Sequence, residues 1–363
     1  LASSLYHPAR SRSDRRVVSF ARHPIISNMP FAITTWLAAL AVALPAAAAS
    51  TTILRALLAT GLAWRLATDI PNDRSLHTRP TPRVGGWGIV PVSVVALLWL
   101  APRMWPIAVA AAGLAAVSQI DDRRGLPARV RFAAHLAAVI ALIAAYPAAA
   151  PWWLLVCVGF VMVWLTNLYN FMDGADGLAG GMALFGFGAY AVAALGTSPD
   201  LTAGGAAIAG AALGFLLLNL HPARLFLGDA GSIPLGFLAG ALGYWGWRAN
   251  VWPIWFPALV FAPFIADASV TLLRRLLRGE KFWQAHREHY YQRMVRAGVG
   301  HRRTAFYWYL IMLAGIIVAV WAKGRPELQQ WLSFFAWYGV LACIGLLIDV
   351  RWRRFQSIAE NNS

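Results

Sequence analysis

The chain has 363 residues, of which 59% are hydrophobic and only 13% charged, and its formal net charge is +16. That balance, with a positive mean hydropathy, excludes an ordinary soluble domain and reads as a polytopic membrane protein. The excess charge is nearly all arginine, Lys281 and Lys323 being the only lysines; in a membrane protein it marks loops facing anionic lipid and anionic substrates rather than nucleic acid.

Apolar segments long enough to cross roughly 30 Å of hydrocarbon are expected at 33–66, 84–101, 104–120, 132–148, 152–169, 178–196, 202–220, 233–248, 251–272, 305–322 and 331–350. The expected fold is an all-α, polytopic integral membrane helix bundle of about eleven transmembrane helices. The first segment is read as one long or bent helix; a turn back at AAAASTT, 46–52, would make twelve. Residues 1–28 form a basic extension without an initiating methionine, so Met29, just before the first apolar run, is the expected native start. A single catalytic domain is expected over 29–350, followed by a cytoplasmic tail at 351–363. Cys157 and Cys343 fall inside expected spans and far apart, which argues for packing residues rather than a disulfide or thiolate metal site.

Arginine-bearing connections occur at 69–83, 121–131, 221–231 and 273–304, and again at the RWRR that begins the tail. The intervening connections are short and poor in charge. By the positive-inside rule the first set faces the cytoplasm.

The acids follow the same pattern. Asp69, Asp73, Asp121, Asp122 and Asp229 fall in those connections, and Asp173 and Asp176 in a further connection that the alternation assigns to the same face. A carboxylate at a helix centre costs about 2.5 to 3.5 kcal/mol in the membrane, so NFMDGADGLAGG at 170–181 belongs at an edge or in a working site. Exclusion from hydrocarbon alone explains charges at helix ends, but not why the opposite face has so few. Paired carboxylates suit a hard cation that keeps waters and phosphate oxygens among its ligands, arginines bind phosphate in bidentate fashion, and glycines at 174, 177, 228 and 231 let backbone approach a ligand. Together they point to metal-assisted phosphoryl chemistry. An EF-hand is excluded because Leu184 stands at the twelfth position from Asp173. No P-loop motif occurs, and no strand precedes the glycine-rich run to support dinucleotide binding.

Taken in order, SLHTRPTPRVGG at 75–86, IDD at 120–122, NLYNFMDGADGLAGG at 167–181, LFLGDAGS at 225–232 and HREHYYQRMVRAG at 286–298 resemble the polyprenyl-phosphate N-acetylhexosamine-1-phosphate transferases. The resemblance implies transfer of a sugar 1-phosphate from a UDP-N-acetylhexosamine to undecaprenyl phosphate with release of UMP. It further implies Mg2+, or Mn2+, as cofactor, and a bacterial inner-membrane enzyme with its site on the cytoplasmic face. By the same resemblance Asp229 is the principal metal ligand, and Asp121 and Asp122 lie beside the metal and the prenyl phosphate. Asn170 and Asp173 line the phosphate end, Asp176 pairs with uracil, Phe226 stacks on the base and Asn219 is another base contact. His289 matches a histidine of a cytoplasmic loop that approaches the diphosphate, so Asp121, Asp122, Asp173 and His289 form the catalytic set. Arg79 and Arg83 are candidates to bind phosphate, against the plainer role of anchors at the membrane surface.

Where many relatives of this kind carry His-x-His-His, this chain has His289-Tyr290-Tyr291-Gln292, which resembles the branch that initiates O-antigen or exopolysaccharide synthesis. Arg83-Val84 after Pro82 depart from the Thr-Met of peptidoglycan translocases and argue against UDP-MurNAc-pentapeptide as donor. Asp267, two helical turns before Arg274 and Arg275, is expected either to support the site through a buried pair or to touch it, the first being preferred. His77 and His286 are secondary candidates, and His135 and His221 are read as structural. The expected partners are the UDP-sugar, the prenyl phosphate and membrane lipid, with a homodimer left open. A secondary transporter is the rival reading, but transporters tend to place ionisable groups at the bilayer midplane, often in two matching halves.

Overall fold

A computed structural model describes residues 29–71, 76–281 and 286–361. The extension at 1–28 and Asp73 therefore lie outside the described residues. The first helix, α1 (Met29–Ala59), runs unbroken through AAAASTT despite Pro45, so the chain does not turn back there. Gly61, at φ 71°, redirects it into the short α2 (Leu62–Leu66). Two-residue strands β1 (Thr68–Asp69) and β2 (Thr81–Pro82) then pair antiparallel and close the first loop on itself.

Helices α3 (Gly85–Leu100), α4 (Trp105–Arg124), α5 (Ala128–Ala145), α6 (Trp152–Phe171), α7 (Leu178–Ala193) and α8 (Pro199–Asn219) follow with short connections, and then α9 (Asp229–Arg248). The segment expected as one span at 251–272 is broken at Phe261 into α10 (Phe256–Val260) and α11 (Ala262–Leu277), where Pro257 and Pro263 each open a helix as first-turn prolines. After the five-residue α12 (Tyr290–Met294) come α13 (Gly300–Lys323) and α14 (Glu327–Asn361). Helix α14 continues through the residues expected as the tail as far as Asn361.

A helix lies on every expected apolar segment. Among the described residues seven helical stretches are long and apolar enough to cross a membrane, and Gly85–Leu100 and Leu178–Ala193 are shorter apolar helices. The core is α9, buried from Ala230 to Gly246, and α8, packed against α1, α3 and α7. Small residues make this possible. A Cβ at Gly210 or Gly214 would collide with the backbone of Ala43 or Ala47, so α8 and α1 meet at backbone distance, as expected where helix association relies on close packing rather than expulsion of water.

The bundle has two distinct ends. At one, side chains bond to backbone carbonyls of the connections: Tyr146 Oη donates to Arg103 O at 2.7 Å, and Arg248 Nε to Pro147 O at 2.9 Å. At the other gather the connections that the charge pattern grouped together, linked by Arg83–Asp122, Asp176–His221 and Arg274–Asp349.

Candidate active site

Helices α3, α7 and α9 begin, and α6 ends, around a cavity of about 210 Å³. Helix N-termini carry unpaired N–H groups and a partial positive charge, so the starts of α7 and α9 favour an anion, whereas the first N–H groups of α3 are taken by Phe226 O and Leu227 O. Gly177 (φ 78°) and Gly228 (φ 74°) stand immediately before α7 and α9, in a backbone region where a side chain is strained. The first loop is knitted to LFLGD by main-chain bonds: Phe226 N–H donates to Pro82 O, Gly85 N–H to Phe226 O and Gly86 N–H to Leu227 O, at 2.8 to 2.9 Å. Segments some 140 residues apart in sequence thereby form one wall.

That wall carries Arg83, whose Nη2 donates to Asp122 Oδ1 at 2.9 Å. The other oxygen, Asp122 Oδ2, is buried without a hydrogen-bond partner. Asp121 is fully engaged, accepting from Leu126 N–H at 2.6 Å and from Arg131 Nη1 at 2.9 Å. Asp173 and Asp229 line the cavity. Burial, and then the negative charge of Asp229, push the Asp173 carboxyl up to about 7, with Arg83 and a Gly228 N–H acting the other way. Burial also raises Asp229, opposed by Arg83 and, more weakly, by Arg131 and a hydrogen bond from Asn170. Asn170 is held in turn, its Oδ1 accepting from Ser232 Oγ at 2.7 Å. Asp122, Asp173 and Asp229 thus crowd one guanidinium, and one of their oxygens is orphaned. All-oxygen, under-neutralised groups of this kind suit a hard divalent cation that keeps waters and phosphate oxygens among its ligands, and Asp229 and Asp173 are the two that line the cavity; among the described residues the group whose ligand atoms lie within 4.8 Å of one another is Asp176, His221 and His301.

At the far side of the cavity Asp176 Oδ2 sits 2.6 Å from His221 Nδ1 and accepts from Ala223 N–H at 3.2 Å. The Asp176 N–H donates to His301 Nδ1 at 3.3 Å, and His301 Nε2 lies 3.1 Å from Leu76 O. A carbonyl only accepts, so His301 carries its proton on Nε2 and ties the first loop to the DGADG turn. Asn219 bridges Gly177 N–H and Leu225 O, each at 2.9 Å. Phe226 packs edge-on to His77 with ring centres 4.8 Å apart, leaving an aromatic ring in the cavity wall.

A second, largely apolar groove of about 350 Å³ opens between α4, α5, α6 and α11. Phe132 and Phe160 on its wall are exposed to the surroundings of the bundle, and Asp121 and Arg131 provide polar groups. Asn170 and Asp229 line both spaces.

The cavity therefore brings together Arg83, Asn170, Asp173, Asp176, Asn219, Phe226 and Asp229, with Asp122 bonded to its wall and Asp121 in the adjoining groove. Arg79 and His289 do not line it. Arg79 is exposed, because the turn before β2 points its backbone inward, where its carbonyl accepts from Thr81 Oγ1 at 3.1 Å. His289 is buried against Phe171 with its Nδ1 3.2 Å from Asp267 Oδ1. Asp267 does not pair with Arg274 or Arg275. Its oxygens accept from the N–H groups of Tyr290 and Tyr291 at 2.9 and 3.1 Å, neutralising the start of α12, while Arg274 pairs with Asp349 and Arg275 with Glu280. Of the two histidines read as structural, His221 contacts Asp176 and His135 lines the groove.

The sequence reading passed over Asp69, His301 and Ser232. Asp69 was visible as one of the acids grouped on this face, and Ser232 ends the LFLGDAGS motif. His301 lies beyond the last motif and gave no signal of its own.

The model for "Glycosyl transferase family 4" matches residues 104–246, which span α4 to α9. The chain is 28% identical to the probable undecaprenyl-phosphate N-acetylglucosaminyl 1-phosphate transferase of Bacillus subtilis, covering 78% of this chain and 84% of the relative. It is 31% identical to the decaprenyl-phosphate N-acetylglucosaminephosphotransferase of Mycolicibacterium smegmatis over 67% of this chain and 72% of the relative. A shorter stretch, 25% of this chain and 28% of the relative, is 44% identical to the phospho-N-acetylmuramoyl-pentapeptide-transferase of Oceanobacillus iheyensis.

Proposed function

The chain belongs to the polyprenyl-phosphate hexosamine-1-phosphate transferase superfamily, and from that premise we propose that it transfers N-acetylhexosamine 1-phosphate from a UDP-sugar to undecaprenyl phosphate, releasing UMP. The observation that carries this reading is the meeting of a polar, carboxylate-lined cavity with an apolar groove at Asn170 and Asp229. A water-soluble donor and a lipid acceptor need such a junction, because their phosphates must come together while one keeps its chain in the membrane.

In this reading uridine occupies the Asp176 side. Phe226 offers the base a stacking face, and Asp176, oriented by His221 and Ala223 N–H, accepts from it. Arg83 and the N-termini of α7 and α9 hold the diphosphate. The prenyl chain lies in the groove, with Arg131 near its phosphate. An acceptor oxygen forms a bond to the sugar-bearing phosphorus as the bond from that phosphorus to the bridging oxygen breaks, and UMP departs with the electron pair. Phosphoryl transfer of this kind depends on in-line positioning and charge neutralisation. Mg2+ or Mn2+ held by Asp229 and Asp173 would supply the neutralising charge. Asp121 has both oxygens occupied, so Asp122, through Oδ2, is the better placed of the pair to take a proton from the acceptor. His289 then acts by fixing the loop behind Phe171 and the DGADG turn.

Five of the relatives found bear names specifying N-acetylglucosamine, which makes UDP-GlcNAc the first donor to test. The product would start an O-antigen or another cell-surface polysaccharide, with the site on the cytoplasmic side of the bacterial inner membrane. The transporter reading gains no support from these relatives or from acids gathered at one end. The test is UMP release by purified protein given undecaprenyl phosphate and UDP-GlcNAc, UDP-FucNAc or UDP-QuiNAc, with and without Mg2+. Turnover with one donor that disappears in Asp229→Asn is expected; no UMP across a broad panel of UDP-sugars overturns the proposal.

A further inference from the structure

Away from the cavity, the loop after α11 and the extension of α14 enclose a second polar space of about 370 Å³. Its walls carry five arginines, Arg278, Arg287, Arg293, Arg296 and Arg353, against one acid, Glu288, with Trp352 as the aromatic surface. Acids nearby are already committed. Glu288 pairs with Arg275, Arg278 and Arg293, and Asp349 pairs with Arg274 and Arg293 at 2.7 Å each. Arg287, Arg296 and Arg353 have no carboxylate within 4.0 Å among the described residues. Arg296 is nevertheless fixed in place: its guanidinium carbon lies 4.9 Å from the Trp352 ring centre, and its Nη1 donates to Arg287 O at 3.2 Å. Five guanidinium groups around one carboxylate repel one another, and a bound anion relieves that repulsion.

The position of the space narrows the choice of anion. It opens where the apolar run of α14 ends at Val350 and RWRR begins. An adjoining space shares Arg278, Arg293, Trp352 and Arg353 and reaches Leu346. Leu276, Leu277, Leu346 and Leu347 around it are exposed, as side chains facing lipid are. Trp352 stacks on Phe355 with centres 5.5 Å apart, and aromatic side chains concentrate at the headgroup level.

We propose that Arg287, Arg296, Arg353 and Trp352 form a binding site for a phosphate-class anion, the headgroup phosphate of an anionic phospholipid being the source its position favours. Such a ligand fastens the α14 extension to the loop that carries α12. The site is independent of the donor cavity and makes no use of the transfer reaction.

The test uses the full chain in neutral detergent. Short-chain phosphatidylglycerol, phosphatidylcholine and inorganic phosphate are titrated separately and followed by native mass spectrometry and thermal shift, for wild type, Arg296→Gln with Arg353→Gln, and Arg351→Gln with Arg354→Gln. The last pair removes the same charge from the same helix outside the space. Each arginine near an anionic headgroup contributes about a fivefold effect, so the first pair should weaken phosphatidylglycerol binding about 25-fold and the second less than twofold. Displacement of phosphatidylglycerol by inorganic phosphate at low concentration, lost in the first pair, supports the site and reassigns its source to free phosphate. Equal weakening in both pairs, or no preference for phosphatidylglycerol over phosphatidylcholine in wild type, overturns the proposal.

Discussion

Replacing Asp173 by Asn should make the metal-free protein more stable at alkaline pH while abolishing turnover. The carboxyl titrates near 7 in the folded protein against an ordinary 3.8, so between those values the unfolded chain has released a proton that the folded chain retains. The unfolded state then binds fewer protons, and stability falls as pH rises from about 4 to 7 and stays low above. At 1.36 kcal/mol per pH unit the penalty approaches about 4 kcal/mol at pH 8, and relaxation of the site reduces it to the order of 2 to 4 kcal/mol. An Asn oxygen can still accept the Gly228 N–H, so the variant removes the charge and keeps the bond. The assay is thermal unfolding of wild type and variant in detergent with EDTA at pH 8 and at pH 4. A midpoint several degrees higher for the variant at pH 8, shrinking to nothing at pH 4, is expected. Mg2+ should raise the wild-type midpoint at pH 8 and have little effect on the variant. Equal or lower stability of the variant at pH 8 would refute the argument that uncompensated negative charge is stored at this position.

Cation affinity should carry the same signature: with Asp173 near 7, the apparent Mg2+ affinity of the free protein is expected to drop about tenfold from pH 8 to pH 6, with proton release on binding, measurable by calorimetry in two buffers. His301→Ala removes bonds to Leu76 O and Asp176 N–H, each worth about 0.5 to 1.5 kcal/mol. KM for the UDP-sugar should rise about tenfold with a smaller change in kcat; an unchanged KM would remove His301 from the donor side. Phe226→Ala should weaken UDP binding by about 1 to 3 kcal/mol if the ring stacks on the base, as read by competition with the donor. Gly86→Ala places a Cβ against the backbone of Ala230 and Gly231; overpacking there costs about 1 to 3 kcal/mol or more and should appear as a lowered thermal midpoint and poor recovery of monodisperse protein.

How much of this was legible beforehand depended on the range of the interaction concerned. Helices were readable because hydrocarbon imposes a minimum length and rejects charge, which are properties of a continuous stretch. The joining of α10 and α11 into one expected span shows the limit: hydropathy does not register a break at Phe261 between two proline-started helices. The motifs around Asp122, Asp173 and Asp229 stood out because carboxylates and glycines beside apolar runs are conspicuous. Their partners did not. Asp267 precedes Arg274 and Arg275 by two helical turns, and the local pairing suggested by that spacing lost to the unpaired N–H groups of Tyr290 and Tyr291, more than twenty residues away.

By itself, then, the sequence determined a membrane helix bundle, the face on which its acids collect, and the kind of chemistry those acids suit, since each follows from composition and short-range pattern. Only the tertiary structure decided that Arg83 serves Asp122, that His301 joins Leu76 to Asp176 across 225 and 125 residues, and that a polar cavity and an apolar groove meet at Asn170 and Asp229. Those contacts arise from which faces of the helices pack at backbone distance, and that is set by the small residues of α8 and α9 acting on distant partners.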